Sequence, residues 1–184
     1  MSDDFHTQDC CEVIASLKRS GINFLAIDFD QTLVSEHTGG VWQKSVQELV
    51  QKIRPVFRKL VPMAVNDGLQ VAIVTFSPQS QLIGDVLIHA WGDSAISIPI
   101  RGRDGTWEYR GEGSRDGKQP HMASAAEEIQ GRTGIKITRN STILIDDDIR
   151  NINCALNNSV RAIHLKPDDI STAIKQLKNI SGRS

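Results

Sequence analysis

The sequence has no long apolar run. No stretch approaches the roughly 20 residues needed to cross a bilayer, and the opening Met-Ser-Asp-Asp-Phe-His-Thr-Gln lacks the basic-then-apolar order of a secretory leader. A soluble, cytoplasmic protein without membrane attachment is therefore expected. Cysteine is scarce: Cys10, Cys11 and Cys154 are an odd number, and the adjacent pair is poorly placed to bridge itself. Reduced thiols fit the cytosol. An excess of either charge is also missing. Twenty-one Lys and Arg against 22 Asp and Glu leave a net charge of -1, and without a basic surplus a nucleic-acid module is disfavoured. The histidines His6, His37, His89, His121 and His164 show no metal-ligand spacing. No Gly-x-Gly-x-x-Gly turn follows an apolar strand, which argues against dinucleotide binding. There is no internal repeat or low-complexity tract, and no sustained heptad to indicate an oligomeric state.

What is present is alternation. A chain of 184 residues has room for one substantial core, so a single domain over 1–184 is expected, with an N-terminal helix at about 8–20 and a core at about 23–178. Val13, Ile14 and Leu17 sit at helical spacing before Gly21. Phe24 to Ile27 predicts a central strand. Residues Trp42 to Val65 predict a helix disturbed at Pro55 and Pro62. A second strand at Leu69–Val74, a helix at Gln79–Trp91 and a third strand at Ala95–Ile100 follow. Arg101 to Lys118 is rich in glycine and charge and reads as a loop or small hairpin around Thr106 to Tyr109. Beyond it come a helix at Pro120–Gln130, a strand at Thr142–Ile145, a helix at Ile149–Leu156, a strand at Arg161–Leu165 and a helix at Asp169–Leu177. This order predicts an α/β fold whose mostly parallel, five-stranded sheet is covered on both faces.

In such sheets the ligand crevice lies beyond the carboxyl ends of the strands. Strand one ends in Asp28-Phe-Asp30-Gln-Thr32, strand two in Thr75-Phe-Ser77, and strand four in Asp146-Asp147-Asp148. Alternation along extended backbone lets Asp28 and Asp30 face one pocket. Two carboxylates about 4 Å apart repel by roughly 1 kcal/mol in water and about 4 kcal/mol at an effective dielectric near 20, so such a cluster calls for a counter-ion. Oxygen-only donors suit Mg²⁺ better than zinc. A hard cation beside a nucleophilic carboxylate suits a phosphorylated substrate. Thr75 or its neighbour Ser77 is placed to hydrogen-bond a phosphoryl oxygen. Lys118, with Arg115 and Lys136 as alternatives, supplies positive charge. The plainer alternatives are an exposed acidic turn at 28–30, a helix cap at Asp148, and a solvated loop bearing Arg101, Arg103, Arg110 and Arg115.

The order of these motifs resembles the haloacid dehalogenase (HAD) superfamily: Asp-x-Asp-x-Thr after an apolar strand, a threonine after the second, a lysine before a helix, and an acidic pair after the fourth. Ile-Leu-Ile-Asp-Asp-Asp-Ile-Arg-Asn-Ile, ending at Ile152, is similar to the magnesium-dependent phosphatase branch. The resemblance implies a Rossmannoid three-layer sandwich and a phosphomonoester hydrolase. Asp28 would be nucleophile and metal ligand. Asp30 would be general acid and base, with its carbonyl on Mg²⁺. Asp147 would be the chief acidic ligand with Asp146 ligating or orienting, and Thr75 and Lys118 would bind the phosphoryl group. The second aspartate separates phosphatases and phosphomutases from dehalogenases. Neither Leu33–Leu69 nor Pro78–Gly117 leaves much room for a cap, so a minimal or absent cap is implied, with Ser35–Gly40 as a mobile flap. An open site admits small phosphorylated molecules or phosphoproteins. The rival classes are a receiver domain, whose motif order differs, an idle HAD-fold scaffold, and a phosphotransferase.

Overall fold

The structure, a computed structural model, describes residues 6–181. The ends of the expected 1–184 domain lie outside the described residues. In chain order the regular elements are α1 (Thr7–Arg19), β1 (Phe24–Ile27), α2 (Val46–Gln51), α3 (Pro55–Asn66), β2 (Gln70–Val74), α4 (Ser80–Trp91), β3 (Ile100–Arg101), α5 (Gln119–Thr133), β4 (Thr142–Asp146), α6 (Ile149–Asn157), β5 (Arg161–His164) and α7 (Ile170–Lys178). The strands form one parallel sheet in the order β3-β2-β1-β4-β5.

Strand side chains alternate between two cores, as a sheet covered on both faces requires. Leu25, Ile27, Val71, Ile73, Ile143 and Ile145 pack with apolar residues of α1, α2, α3, α4 and α7. Phe24, Ala26, Ala72, Val74 and Leu144 pack instead with Met122, Ala125 and Ile129 of α5 and Ala155 of α6.

The helix expected over 42–65 is two helices. Ser45 and Glu48 form a reciprocal cap for α2, and Pro55 takes the first turn of α3, where its missing N–H costs no bond. Pro62 nevertheless lies inside α3. It cannot donate to the carbonyl of Arg58, four residues earlier, and Trp91 Nε1 donates to that oxygen instead at 3.3 Å.

The third strand is much shorter than the expected Ala95–Ile100. Residues Gly92–Ala95 form a helical turn, Ile96 is largely exposed, and pairing is confined to Ile100 and Arg101 against Ile73 and Val74. Pro99 contributes only its carbonyl, which accepts from Ile73 N at 2.9 Å, as expected of proline at a strand start on a sheet edge. Residues 106–109 form no hairpin. Asp104 accepts from Thr106 N and Oγ1 (3.1 and 2.9 Å), Trp107 Nε1 donates to Gly102 O (2.7 Å), and Gly113 N donates to Tyr109 Oη (3.1 Å). Side chains thus organise this loop where backbone ladders do not.

Candidate active site

The strand register aligns the chemistry. Ile27 of β1 pairs with Ile73 of β2 and Ile145 of β4, so Asp28 and Asp146 emerge side by side and Thr75 one step further along β2. Strand order reverses at β1, the switch point where α/β sheets open a crevice. A cleft of about 330 Å³ lies there, and Asp28, Asp30, Thr75, Lys118, Asp146 and Asp147 all line it. The structure thereby brings together every site residue expected from the sequence.

Asp28 is 5% exposed and Lys118 2%, yet the two are in direct contact. Lys118 Nζ also lies 2.7 Å from Asp146 Oδ2, on a side chain that is fully buried. Burial pushes the Asp28 carboxyl up to about 7, opposed by the Lys118 charge beside it and reinforced by Asp146. For Lys118, burial acts to lower the pKa, and the two carboxylates more than reverse it. The lysine reaches this position from the residue before α5, where Gly117 turns at φ +53 and where any Cβ would come within 3.1 Å of Cys154 Sγ.

Asp146 is fixed on both oxygens. Asn151 Nδ2 donates to Oδ1 and Oδ2 (3.2 and 3.1 Å), and Asp148 N donates to Oδ1 at 2.8 Å. Asn151 thus orients Asp146, and Arg150 pairs outward with Asp148, which caps α6. Asp147 is held differently. Its N–H donates to Thr32 Oγ1 (3.0 Å), and the Thr32 hydroxyl donates back to Asp147 Oδ1 (3.3 Å). His164 Nε2 lies 2.8 Å from the Asp147 carbonyl. Burial, with Asp146 adding to it, raises the Asp147 pKa.

These contacts give Thr32 a role that the sequence pattern alone did not assign. A second missed residue is Arg54, which donates from Nε to Thr32 O (3.0 Å) and from Nη2 to Gln31 O (2.8 Å). It steadies a wide turn in which Leu33 N donates to Asp28 O and Val34 N to Phe29 O (both 3.1 Å), while Gln31 adopts φ +57. A non-glycine residue in the left-handed region needs such support. A third is Thr38, whose N–H and Oγ1 donate to Asp30 Oδ1 at 2.7 and 2.6 Å.

Thr75 is buried at the exit of β2, and its Oγ1 accepts from Ser77 N at 3.1 Å. A hydroxyl accepting in this way keeps its own hydrogen to donate. Ser77 Oγ accepts from Gln79 N (3.2 Å) and also lines the cleft. Of the four loop arginines, Arg101 is buried against α5 and binds Ser124 and Glu128, Arg103 stacks 4.1 Å from the Phe76 ring centroid, Arg110 pairs with Glu108, and Arg115 donates to the Gly111 carbonyl. Arg101 therefore departs from the expected solvated loop. Lys136, the other alternative to Lys118, lies at Asn23, which donates to its carbonyl.

The site also fits a divalent cation. Asp28, Asp146 and Asp147 each place a carboxylate oxygen within 4.8 Å of the others. Lys118 pairs with Asp28 and Asp146, and all three carboxylates offer oxygen, the donor that hard ions prefer.

No family model and no curated protein matches this chain. Solved structures do. An uncharacterized protein from Corynebacterium glutamicum is 16% identical, with a TM-score of 0.51 over 89% of this chain and 99% of that one. The N-terminal part of the protein BF1531 from Bacteroides fragilis, containing a phosphatase domain and complexed with Mg, is 15% identical, with a TM-score of 0.55 over 95% of this chain and 44% of that one. A looser likeness (TM-score 0.42, 14% identity, 94% of this chain and 91% of that one) is to a Legionella pneumophila protein assigned to the HAD superfamily, subfamily III A. At such identities the likeness is one of fold. The parallel sheet with helices on both faces is a Rossmannoid α/β fold, shared with the Corynebacterium protein and the Bacteroides phosphatase domain.

Proposed function

We propose that the protein is a magnesium-dependent phosphomonoester hydrolase working through an aspartyl phosphate on Asp28, with Asp30 as general acid and base. The observation that carries this reading is the buried Lys118 joining Asp28 to Asp146, with Asp147 alongside, at the switch point of the sheet. A structural ion pair has no need of a third carboxylate that raises the local repulsion, whereas a metal-assisted nucleophile does.

Asp28, Asp147 and Asp146 would hold Mg²⁺, which when bound neutralises phosphoryl charge. The Asp28 carboxylate attacks phosphorus from the end of a rigid strand, and the bond to the leaving oxygen breaks. Asp30 gives that oxygen a proton. In the second half, Asp30 takes a proton from water as the water oxygen attacks the same phosphorus, releasing phosphate and restoring Asp28. Lys118 and the Thr75 hydroxyl stabilise the phosphoryl oxygens from fixed positions. Asp146, saturated by Asn151 and Asp148 N, positions Lys118, and Asp147 is the better direct ligand. The segment 102–118 carries no helix or strand and 34–54 carries only α2, which supports a minimally capped single domain and a substrate that is a small phosphorylated molecule or a phosphoprotein. No described helix is long and apolar enough to cross a membrane, and three free thiols suit a reducing, cytoplasmic setting.

The test is phosphate release from an aryl phosphate with Mg²⁺ and with EDTA. Activity should vanish with EDTA and fall by roughly a thousandfold or more in Asp28→Asn, about 4 kcal/mol of transition-state stabilisation. Undiminished turnover in Asp28→Asn would rule out the covalent route.

A further inference from the structure

We propose that Thr38 is the positioning residue that aims Asp30 at the leaving oxygen of the substrate, and that Gln79 ties this contact to the exit of β2; the inference rests on Asp30 acting as acid and base. Thr38 is 4% exposed, although it belongs to a segment with almost no regular structure. It is buried because it turns inward, donating from both its N–H and its hydroxyl to Asp30 Oδ1. Two donors occupy that oxygen. The partner oxygen, Oδ2, is left to carry the proton and deliver it.

The backbone around Asp30 does not fix this carboxylate by itself. Asp30 is extended (φ -64°, ψ 135°), and Gln31 then turns left-handed. A side chain at such a corner has several staggered orientations open to it, and two hydrogen bonds to one oxygen select among them. A misplacement of about 1 Å at a reacting group can cost on the order of a hundredfold in rate.

Thr38 is itself held. Gln79 Nε2 donates to Thr38 Oγ1 (3.4 Å), and Gln79 Oε1 accepts from Trp42 N (2.8 Å). The backbone N–H of Gln79 donates to Ser77 Oγ (3.2 Å). One amide side chain therefore joins Thr38 of the flap and Trp42 just beyond it to the loop that follows β2. These bonds do what a strand ladder would do in a longer element.

The chemistry supplies a selective test. When the P–O bond breaks, an electron-rich leaving oxygen needs the Asp30 proton, whereas a nitrophenolate departs well without it. The kcat/KM value covers phosphoryl transfer to Asp28 and departure of the alcohol, not the later attack by water. Thr38→Val keeps the shape and the N–H but removes the hydroxyl. It should lower kcat/KM for 4-methoxyphenyl phosphate by roughly tenfold more than for 4-nitrophenyl phosphate, a fraction of what a general acid supplies. Thr38→Ser, which keeps the hydroxyl, should restore most of the loss and stands as the second variant should Thr38→Val not fold. Equal losses on both esters, or a serine variant as impaired as the valine one, would overturn the role of Thr38 alone. A wild-type protein that turns over neither ester with Mg²⁺ would overturn the phosphatase reading and this inference with it.

Discussion

Asp28 and Asp30 stand two residues apart and are held by opposite means. Asp28 belongs to a floor of strand ends, where Lys118, Asp146 and Asn151 are all buried and satisfy one another. Asp30 belongs to a rim, where a single flap threonine and a bridging glutamine set its orientation. Under the proposed function, one acidic motif would serve two needs: a nucleophile and metal ligand gains from rigidity and charge pairing, while an acid that meets each incoming substrate needs only its orientation set.

Breaking the floor should cost both fold and function. Lys118→Met leaves Asp28 and Asp146 buried without their cation, and one-sided removal from a buried ion pair costs about 3–5 kcal/mol. Thermal melting should show the loss, activity should vanish, and Mg²⁺ should recover part of the stability by supplying the missing charge. Asn151→Leu removes both side-chain amide bonds to Asp146 and should destabilise by about 1–3 kcal/mol, with weakened Mg²⁺ affinity in calorimetry. At the rim, Gln79→Leu should move the melt by only about 0.5–1.5 kcal/mol and act chiefly on kcat/KM. A rim variant that unfolds the protein, or a floor variant that leaves the melt unchanged, would erase the distinction.

The wall behind the floor gives a pH test. His121, in α5, is buried between the rings of Trp107 and Phe76, with centroids 4.7 and 5.3 Å away. Burial, with Lys118, Arg103 and Arg101 nearby, lowers its pKa to about 4. The unfolded chain takes up the proton near the ordinary value of about 6.5, whereas the folded protein does so only near 4. The His121 contribution to stability is therefore lost as pH falls through that window, by up to about 3 kcal/mol at its lower end. Asp28, which takes up its proton near 7 in the folded protein, gains stability over the same window in both proteins, so denaturant titrations should show the His121 loss as the difference in slope between wild type and His121→Phe.

Much of this was legible in the chain, for identifiable reasons. Phe24 to Ile27 and Thr142 to Ile145 are short apolar runs ending abruptly in carboxylates, a pattern that fixes both the strand and the place of its chemistry. The weaker places were those where side chains replace backbone pairing. Ala95 to Ile100 has strand composition, but the edge of the sheet and Pro99 confine it to a two-residue ladder displaced to Ile100 and Arg101. Thr32 and Arg54 act through contacts between distant segments, Thr38 and Asn151 act across irregular turns, and no local periodicity marks any of them. From its place beside the last acidic motif, Asn151 suits either orienting Asp147 or simply beginning a helix; the turn into α6 instead brings it to Asp146.

The covalent role proposed for Asp28 is tested by an acid-quenched single turnover with a ³²P-labelled phosphomonoester and Mg²⁺, followed by peptide mapping. Label is expected on the peptide that contains Asp28, lost with hydroxylamine and absent from Asp28→Asn. Phosphate release at the wild-type rate with no label trapped at any time, or label on a peptide without Asp28, would contradict that role.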